Sequence, residues 1–222
     1  MQNATKKLAN FTAKELQLSE LASQHAIIYQ WFASLLAAEL TLPQIQAYIA
    51  GDAKLLLQQL AQETQLIQQI QVFNQAITTL SLLTDPKLEL AADFASLFLS
   101  DARHGAAPYA SIYQDKNTFN GPAAQRMHQR LIKSGFAVTA EFKEPADHLA
   151  LMLDYLAEQY RLLAQQPCQV LATSLHCFVQ QELNNWLPLW QQQAININTA
   201  SKFYPVLIGI ITTYCALNLT IQ

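Results

Sequence analysis

Apolar side chains recur along most of this chain at intervals of three and four residues. One series consists of Leu21, His25, Ile28, Phe32, Leu35 and Leu36, and similar series extend from Leu66 to Leu80 and from Leu149 to Leu163. This period is typical of helices with one buried face. No segment alternates as a half-buried strand does, and five glycines are few for tight β-turns. The pattern therefore predicts an all-α fold.

Capping residues, prolines and glycines indicate where these helices begin and end. Ser19 is the candidate N-cap of the first long helix, and Gly51 closes a short helix further on. Pro122 and Gly135 have the positions expected for the first residue and the C-cap of another helix. Pro145 is expected to be the first residue of the most regular helix.

Residues 101–121 interrupt the helical pattern with residue types that favour turns and loops. A loop this long in a helical protein is usually functional or a linker. We expect an N-terminal helical part at residues 1–120, a hinge helix at 121–135 and a C-terminal helical part at 136–222. If each part covers apolar surface of the other, the contacts can form within one chain or between two. This predicts a monomer and a domain-swapped homodimer, with a rigid single bundle as the alternative.

The final segment, residues 203–222, contains no charged residue and is nearly long enough to span a bilayer. It also carries Thr212, Thr213 and Tyr214, which hydrocarbon tolerates poorly, and no basic cluster follows it. A buried core helix is therefore expected rather than a tail anchor, and no stable membrane insertion is predicted.

Composition and charge narrow the function. Apolar residues make up 51% of the 222 residues and the net charge is −3, so no basic surface attracts nucleic acid. Lys6 and Lys7 interrupt any apolar run near the N-terminus, which argues against a signal peptide. The three cysteines lack CxxC spacing and are expected to be reduced, buried thiols of a cytoplasmic protein.

Recognisable catalytic and metal-binding motifs are missing from the sequence. It has no phosphate-binding glycine loop, no GxSxG and no HExxH. The five histidines show no metal-ligand spacing, and His25 on an apolar face is expected to be a hydrogen-bonded core residue. We predict no catalytic residue, no bound metal and no enzymatic activity; a small helical enzyme with an unfamiliar site is the competing interpretation.

Two short segments stand out as candidate sites. One is Glu144-Pro145-Ala146-Asp147-His148, and the other is Pro108-Tyr109-Ala110-Ser111-Ile112-Tyr113. Asp147 is expected in the first turn of a helix, where a carboxylate can simply cap free N–H groups. Alternatively, Asp147, Leu151, Asp154 and Glu158 form one acidic surface stripe with an apolar centre, which would suit a peptide with arginines before an apolar run. Tyr109 and Tyr113 either plug the loop onto the core or line a binding groove.

The two segments together resemble the signature of the TorD/DmsD family of chaperones for molybdenum-containing reductases. Three further segments resemble that family: Asp93-Phe94-Ala95-Ser96-Leu97-Phe98, the run from Phe178 to Pro188, and Phe203-Tyr204-Pro205-Val206-Leu207. Glu182 departs from the family, in which histidine is common at that position. The likeness covers roughly residues 90–210 and is closest to the members that serve trimethylamine N-oxide reductase.

The resemblance implies a cytoplasmic chaperone with two helical parts and a hinge. Its partners would be an apo molybdoreductase and the twin-arginine signal peptide of that enzyme, bound before cofactor insertion and export. No cofactor is expected, although weak guanine-nucleotide binding is reported of the family. The residues that the resemblance assigns to client binding are Pro108, Tyr109, Ser111, Tyr113, Glu144, Asp147 and His148. A generic helical adaptor without a reductase client is the alternative.

Overall fold

The computed structural model describes residues 11–101, 104–115, 118–139 and 142–217, and within these ranges the chain is all-α, as predicted. Lys6 and Lys7 lie outside the described residues. The α-helices are α1 (Ala13–Ala37), α2 (Leu42–Ala50), α3 (Lys54–Leu60), α4 (Ile67–Leu80), α5 (Pro86–Phe94), α6 (Ala110–Gln114), α7 (Pro122–Ser134), α8 (Leu149–Gln165), α9 (Gln169–Phe178), α10 (Leu187–Ile195) and α11 (Phe203–Leu217). Helices α5 and α9 each continue into a five-residue π-helical turn, Ala95–Leu99 and Val179–Leu183.

Helix α1 begins earlier than its apolar pattern indicates. Thr12 is its N-cap, and the Thr12 and Glu15 side chains form a capping box. The prediction of Ser19 as N-cap is therefore wrong. Ser19 lies two turns inside the helix and is buried, and its hydroxyl donates to the carbonyl of Ala164 at 2.7 Å. A polar residue that looked like a cap is thus a contact between α1 and α8.

The pairing of α1 with α8 forms the centre of the molecule. Tyr29 of α1 stacks on Tyr160 of α8 with ring centroids 5.5 Å apart. His25 is buried, and its Nδ1 lies 2.5 Å from the hydroxyl of Tyr214 in α11. The predicted role of His25 as a hydrogen-bonded core residue is confirmed.

Helix α11 lies in the core, as predicted for the uncharged C-terminal segment. Its residues Phe203, Leu207 and Ile211 are fully buried, and the Phe203 ring lies 4.8 Å from that of Phe73 in α4. Among the described residues, no helix combines the length and the hydropathy that crossing a membrane requires.

Three helix ends follow the predicted proline and glycine positions. Gly51 and Gly135 end α2 and α7 with positive φ angles of 98° and 68°, a conformation that glycine adopts without strain. Pro122 opens α7 as predicted, but the N-cap Gly121 has no side chain to satisfy the first N–H groups. Asp115 supplies the acceptor instead, since its Oδ2 takes the N–H of Ala123 at 2.8 Å.

The three cysteines do not share one environment. Cys215 is buried, and burial raises the pKa of its thiol to about 12. Cys168 and Cys177 are exposed, so the expectation of buried thiols is wrong for these two. None of the three forms a disulfide. Both exposed residues lie at α9, whose outer face the apolar pattern could not separate from the core.

A buried carboxylate attaches the segment before α11 to the body of the protein. Asp93 in α5 is buried, and its two oxygens accept the backbone N–H groups of Ala200 at 2.7 Å and Ser201 at 2.8 Å. Next to it, the ring of Phe94 packs edge-on against that of Tyr204, at 5.5 Å. Asp93 therefore satisfies two backbone donors that lie more than 100 residues away in the chain.

We expect Asp93→Asn to lower the free energy of unfolding by about 2 kcal/mol, because one charged acceptor becomes an amide that cannot accept from both N–H groups. Urea unfolding at neutral pH measures the change. The matched control is Glu89→Gln, which removes a partly exposed carboxylate from the same helix and should alter stability little. Equal stabilities for the two variants would contradict this role of Asp93.

Candidate functional site

The two segments singled out by the sequence meet directly. Tyr109 and His148 form an antiparallel bridge. The backbone N–H of Ala110 donates to the carbonyl of Asp147 at 3.2 Å, and that of Leu149 donates to the carbonyl of Pro108 at 2.8 Å. The structure thus places the predicted site residues of both segments at one junction. We call this contact the 108/148 junction.

Asp147 is the buried centre of the 108/148 junction. Its side chain is fully buried, and Oδ2 accepts the backbone N–H of Ser111 at 2.8 Å. Its other oxygen, Oδ1, and the hydroxyl of Ser111 have no hydrogen-bond partner among the described residues. Asp147 therefore binds the start of α6 rather than the start of its own helix.

The prediction that Pro145 opens the long helix is wrong. Helix α8 begins at Leu149, four residues later. The N–H of His148 closes a turn onto the carbonyl of Pro145 at 3.0 Å. The backbone of residues 147–149 pairs with residues 108–110, and that pairing replaces the first helical turn expected from proline alone.

His148 is the N-cap of α8. Its Nδ1 accepts the N–H of Ala150 at 3.2 Å, so the neutral ring carries its proton on Nε2. The rings of Tyr109 and Phe142 pack edge-on against the imidazole at 4.9 and 5.4 Å. Burial lowers the pKa of His148 to about 4, although the carboxylate of Glu144 opposes the shift. The ring is therefore neutral at pH 7.

Tyr109 and Glu144 are the members of the junction that reach solvent. The Tyr109 hydroxyl donates to Oε2 of the exposed Glu144 at 2.6 Å. Burial, followed by the hydrogen bond to Glu144, raises the pKa of Tyr109. The exposed ring of Phe119 packs against that of Tyr109 at 5.0 Å. A half-exposed phenol, a carboxylate and an aromatic ring thus form a small amphipathic surface above the buried Asp147.

Tyr113 has the plugging role that the sequence left open. Its ring stacks on Trp186 at 5.4 Å with an angle of 15° between the planes. Its hydroxyl donates to the carbonyl of Ala107 at 3.2 Å, and burial raises its pKa. Pro108 and Ser111 are also buried. These three residues hold the loop on the core.

The predicted acidic surface stripe on α8 is wrong, because Asp147 and Leu151 are both buried. Glu158 is paired with Arg161 at 2.8 Å. Asp154 lies instead at a cleft of about 210 Å³ between α1, α8 and the segment after α7. Sequence reasoning missed this cleft, although apolar residues within the predicted connection at 136–143 were a signal for it.

Glu182, where the chain departs from the family that it resembles, contacts helix α7. Its carboxylate lies 3.4 Å from the guanidinium of Arg126 and 4.0 Å from that of Arg130. The Arg130 guanidinium also lies 4.9 Å from the centre of the Phe178 ring. This position therefore links α7 to the π-helical turn after α9.

Among the described residues, no group of histidine, cysteine or acidic side chains has the geometry of a metal site. Within the described residues, the 108/148 junction also has no serine or cysteine bonded to a base, because the Ser111 hydroxyl has no partner and His148 Nδ1 accepts a backbone N–H. Its chemistry is suited to recognition through hydrogen bonds and aromatic surface rather than to covalent catalysis.

Comparison with known proteins gives consistent results. The family model described as "Nitrate reductase delta subunit" matches residues 36–192. "Chaperone protein TorD" of Vibrio vulnificus strain YJ016 is 36% identical over 207 residues, covering 91% of this chain and 96% of that protein. "Chaperone protein TorD" of Photobacterium profundum is 35% identical over 200 residues, covering 88% of this chain and 92% of that protein. These relatives are named as chaperones and not as enzymes, in agreement with the predicted lack of activity.

A solved structure shares the fold. A protein from Archaeoglobus fulgidus, assigned as a redox enzyme maturation protein, superposes with a TM-score of 0.52 at 16% identity. The match covers 86% of this chain and 93% of that one.

We expect stability to fall as the pH drops from 7.5 to 5. Burial lowers the pKa of both His25 and His148 from 6.5 to about 4, so the unfolded chain binds protons first. The stabilisation is complete above pH 6.5 and is lost as the pH falls toward 4. At pH 5 each histidine lowers the free energy of unfolding by about 2 kcal/mol relative to pH 7.5.

Substituting His148→Asn tests this assignment, because asparagine can still cap α8 but does not titrate. Urea unfolding at both pH values should show about half the pH dependence of the wild type. His128→Gln, at an exposed histidine in α7, is the control and should show the wild-type dependence. An unchanged pH dependence in His148→Asn would show that His148 does not contribute.

Proposed function

Because the chain belongs to the TorD family of molybdoenzyme maturation chaperones, we propose that it binds a molybdoreductase polypeptide in the cytoplasm before that enzyme receives its cofactor. The observation that carries the proposal is the 36% identity to a chaperone over nearly the full length of both chains. We further propose that trimethylamine N-oxide reductase is the client, and that its twin-arginine signal peptide is part of what the chaperone recognises.

We propose that the client contacts the 108/148 junction through its solvent-facing residues. Tyr109 and Glu144 present a phenol and a carboxylate, which suit arginine side chains with their several N–H donors and flat apolar faces. The buried members position this surface, since Asp147 holds Ser111 and His148 supports the Tyr109 ring. Aromatic groups with polar tips are common at protein interfaces.

The acidic character of the surface supports a basic peptide as partner. Glu144 carries the carboxylate nearest to Tyr109, and the chain as a whole has a net charge of −3. Glu144 is exposed, so a guanidinium can approach its carboxylate without a large desolvation cost.

We expect Glu144→Gln to weaken binding of the apo-reductase and of its signal peptide about tenfold, or about 1.4 kcal/mol, while the fold stays unchanged. Tyr109→Phe should weaken binding less, because it removes only a hydroxyl. Calorimetric titration measures both, and Glu39→Gln, at another exposed acidic residue, is the control. Wild-type affinity in both folded variants would exclude this surface from client binding. No binding by the wild-type chain, to the apo-reductase or to the peptide, would leave only the generic adaptor.

The variant Asp147→Ala tests whether this buried carboxylate positions the binding surface. It leaves the buried N–H of Ser111 without an acceptor, so the free energy of unfolding should fall by about 2 kcal/mol, together with a loss of binding. Binding at wild-type strength by this less stable variant would show that Asp147 does not position the surface.

We also propose that the chain forms a monomer and a domain-swapped dimer. Helix α1 belongs to the predicted N-terminal part and α8 to the C-terminal part, and these two helices make the most extensive contact in the fold. Each helix therefore covers apolar surface of the other, and the same helix of a second copy can cover that surface equally well.

A disulfide between Ser19→Cys and Ala164→Cys distinguishes the two arrangements, because the Ser19 hydroxyl lies 2.7 Å from the Ala164 carbonyl. The exposed Cys168 and Cys177 are first replaced by serine. We expect the oxidised monomer to carry the disulfide within one chain and the oxidised dimer to run as a covalent dimer on a non-reducing gel. A disulfide confined to single chains in the dimer fraction would exclude swapping.

A further inference from the structure

Two clefts lie side by side along the α1–α8 pair. The first, of about 210 Å³, is lined by Phe136, Val138, Phe142, Leu151 and Asp154 among others. The second, of about 540 Å³, is lined by Ala26, Ile27, Trp31 and Arg161 among others. Gln30 and Ser34 of α1 border both clefts. The clefts therefore adjoin each other along α1, and we call the two together the α1 groove.

The first end of the α1 groove carries a free negative charge. Asp154 is half-buried at the cleft, and its carboxylate has no hydrogen bond or ion pair among the described residues. The rings of Phe136 and Phe142 line the same cleft. A carboxylate next to apolar surface is suited to an arginine, whose stem packs on the apolar walls while its guanidinium pairs with the acid.

The second end of the α1 groove is apolar. Ile27 is 60% exposed there and lies beside Ala26 and the ring of Trp31. The cation in this cleft is already paired, since Arg161 donates to Glu158 at 2.8 Å and also to the side chain of Gln30. An exposed isoleucine next to a tryptophan therefore offers surface to an apolar partner rather than to a charged one.

The length of the α1 groove matches a short extended peptide. Along α1 it extends from Ser23 to Ala37, about 21 Å at the rise of an α-helix. An extended chain covers that distance with about six residues. Charge at one end and apolar surface at the other give the groove a direction.

We propose that the α1 groove binds the signal peptide of the client in extended form, with an arginine at Asp154 and the following apolar residues over Trp31 and Ile27. This inference rests on the proposed function, because it takes its ligand from there. The order of chemistry along the groove, acidic and then apolar, is the order of an arginine pair followed by an apolar run. Phe142 lines the acidic cleft and packs on His148, so the groove adjoins the 108/148 junction.

The test uses the full-length chain and a fluorescent synthetic peptide in which an arginine pair precedes an apolar segment. We expect Asp154→Asn and Ile27→Asp each to weaken binding at least tenfold. The matched controls are Glu89→Gln, a partly exposed acid in α5, and Val170→Asp, an exposed apolar residue in α9; neither borders the groove, and both should bind as the wild type. Circular dichroism and melting confirm that each variant is folded.

A charge exchange tests the direction of binding. Asp154→Arg should abolish binding of the arginine peptide and restore binding of a peptide whose arginines are replaced by aspartate. Rescue of this kind supports the assigned contact, because a structural role of Asp154 would not depend on the sign of the peptide's charge. Equal loss of both peptides overturns the contact.

The possible outcomes distinguish a failure of the groove assignment from a failure of the proposed function. If the wild-type chain binds neither the peptide nor the apo-reductase, the proposed function fails and the groove assignment falls with it. If the wild type binds and the Asp154 and Ile27 variants bind equally well, the groove alone is overturned. If Ile27→Asp changes only the monomer–dimer ratio in sedimentation, the groove is an interface between copies of this chain, which also overturns the proposal.

Discussion

The packing of α1 along α8 is the constraint on which the rest of the structure depends. Burial of these two apolar faces supplies much of the core, and the aromatic stack of Tyr29 on Tyr160 fixes their relative position. Helix α11 joins the pair through the contact between His25 and Tyr214. The clefts that we assign to peptide binding exist because these two helices, far apart in the chain, lie side by side.

Around this apolar centre, three aspartates hold irregular segments in place. Asp93 accepts N–H groups before α11, Asp115 accepts one at the start of α7, and Asp147 accepts one at the start of α6. Each carboxylate supplies an acceptor that a helix end or loop lacks by itself. Glu144, by contrast, is exposed and hydrogen-bonded only to Tyr109 in the described structure. At the 108/148 junction, the buried Asp147 thus organises the backbone, whereas the exposed Glu144 remains available to a partner.

Much of the fold could be predicted from local patterns, because periodicity and chain-breaking residues act locally. The apolar faces of α1 and α8, the ends at Gly51 and Gly135 and the buried α11 belong to this class. The start of α8 could not be predicted, since the pairing of His148 with Tyr109 overrides the preference of Pro145 for a first turn. The motif segments predicted the residues that meet at the candidate site, but not which of them reach solvent. Asp147 and Glu144 are three residues apart in one motif, and only the pairing across 36 residues buries the first.

The bridge between Tyr109 and His148 also affects how this protein can change over evolutionary time. It brings together the two ends of the excursion from residue 110 to residue 147, and both ends are buried there. Insertions, deletions or exchanges within the outer part of that excursion need not shift α8 along α1, because the bridge fixes where the chain returns. The cost of closing a loop rises only slowly with its length. The connections on either side of α7 can therefore vary in length between related chaperones while the helical core, to which α7 contributes Met127 and Leu131, keeps one geometry.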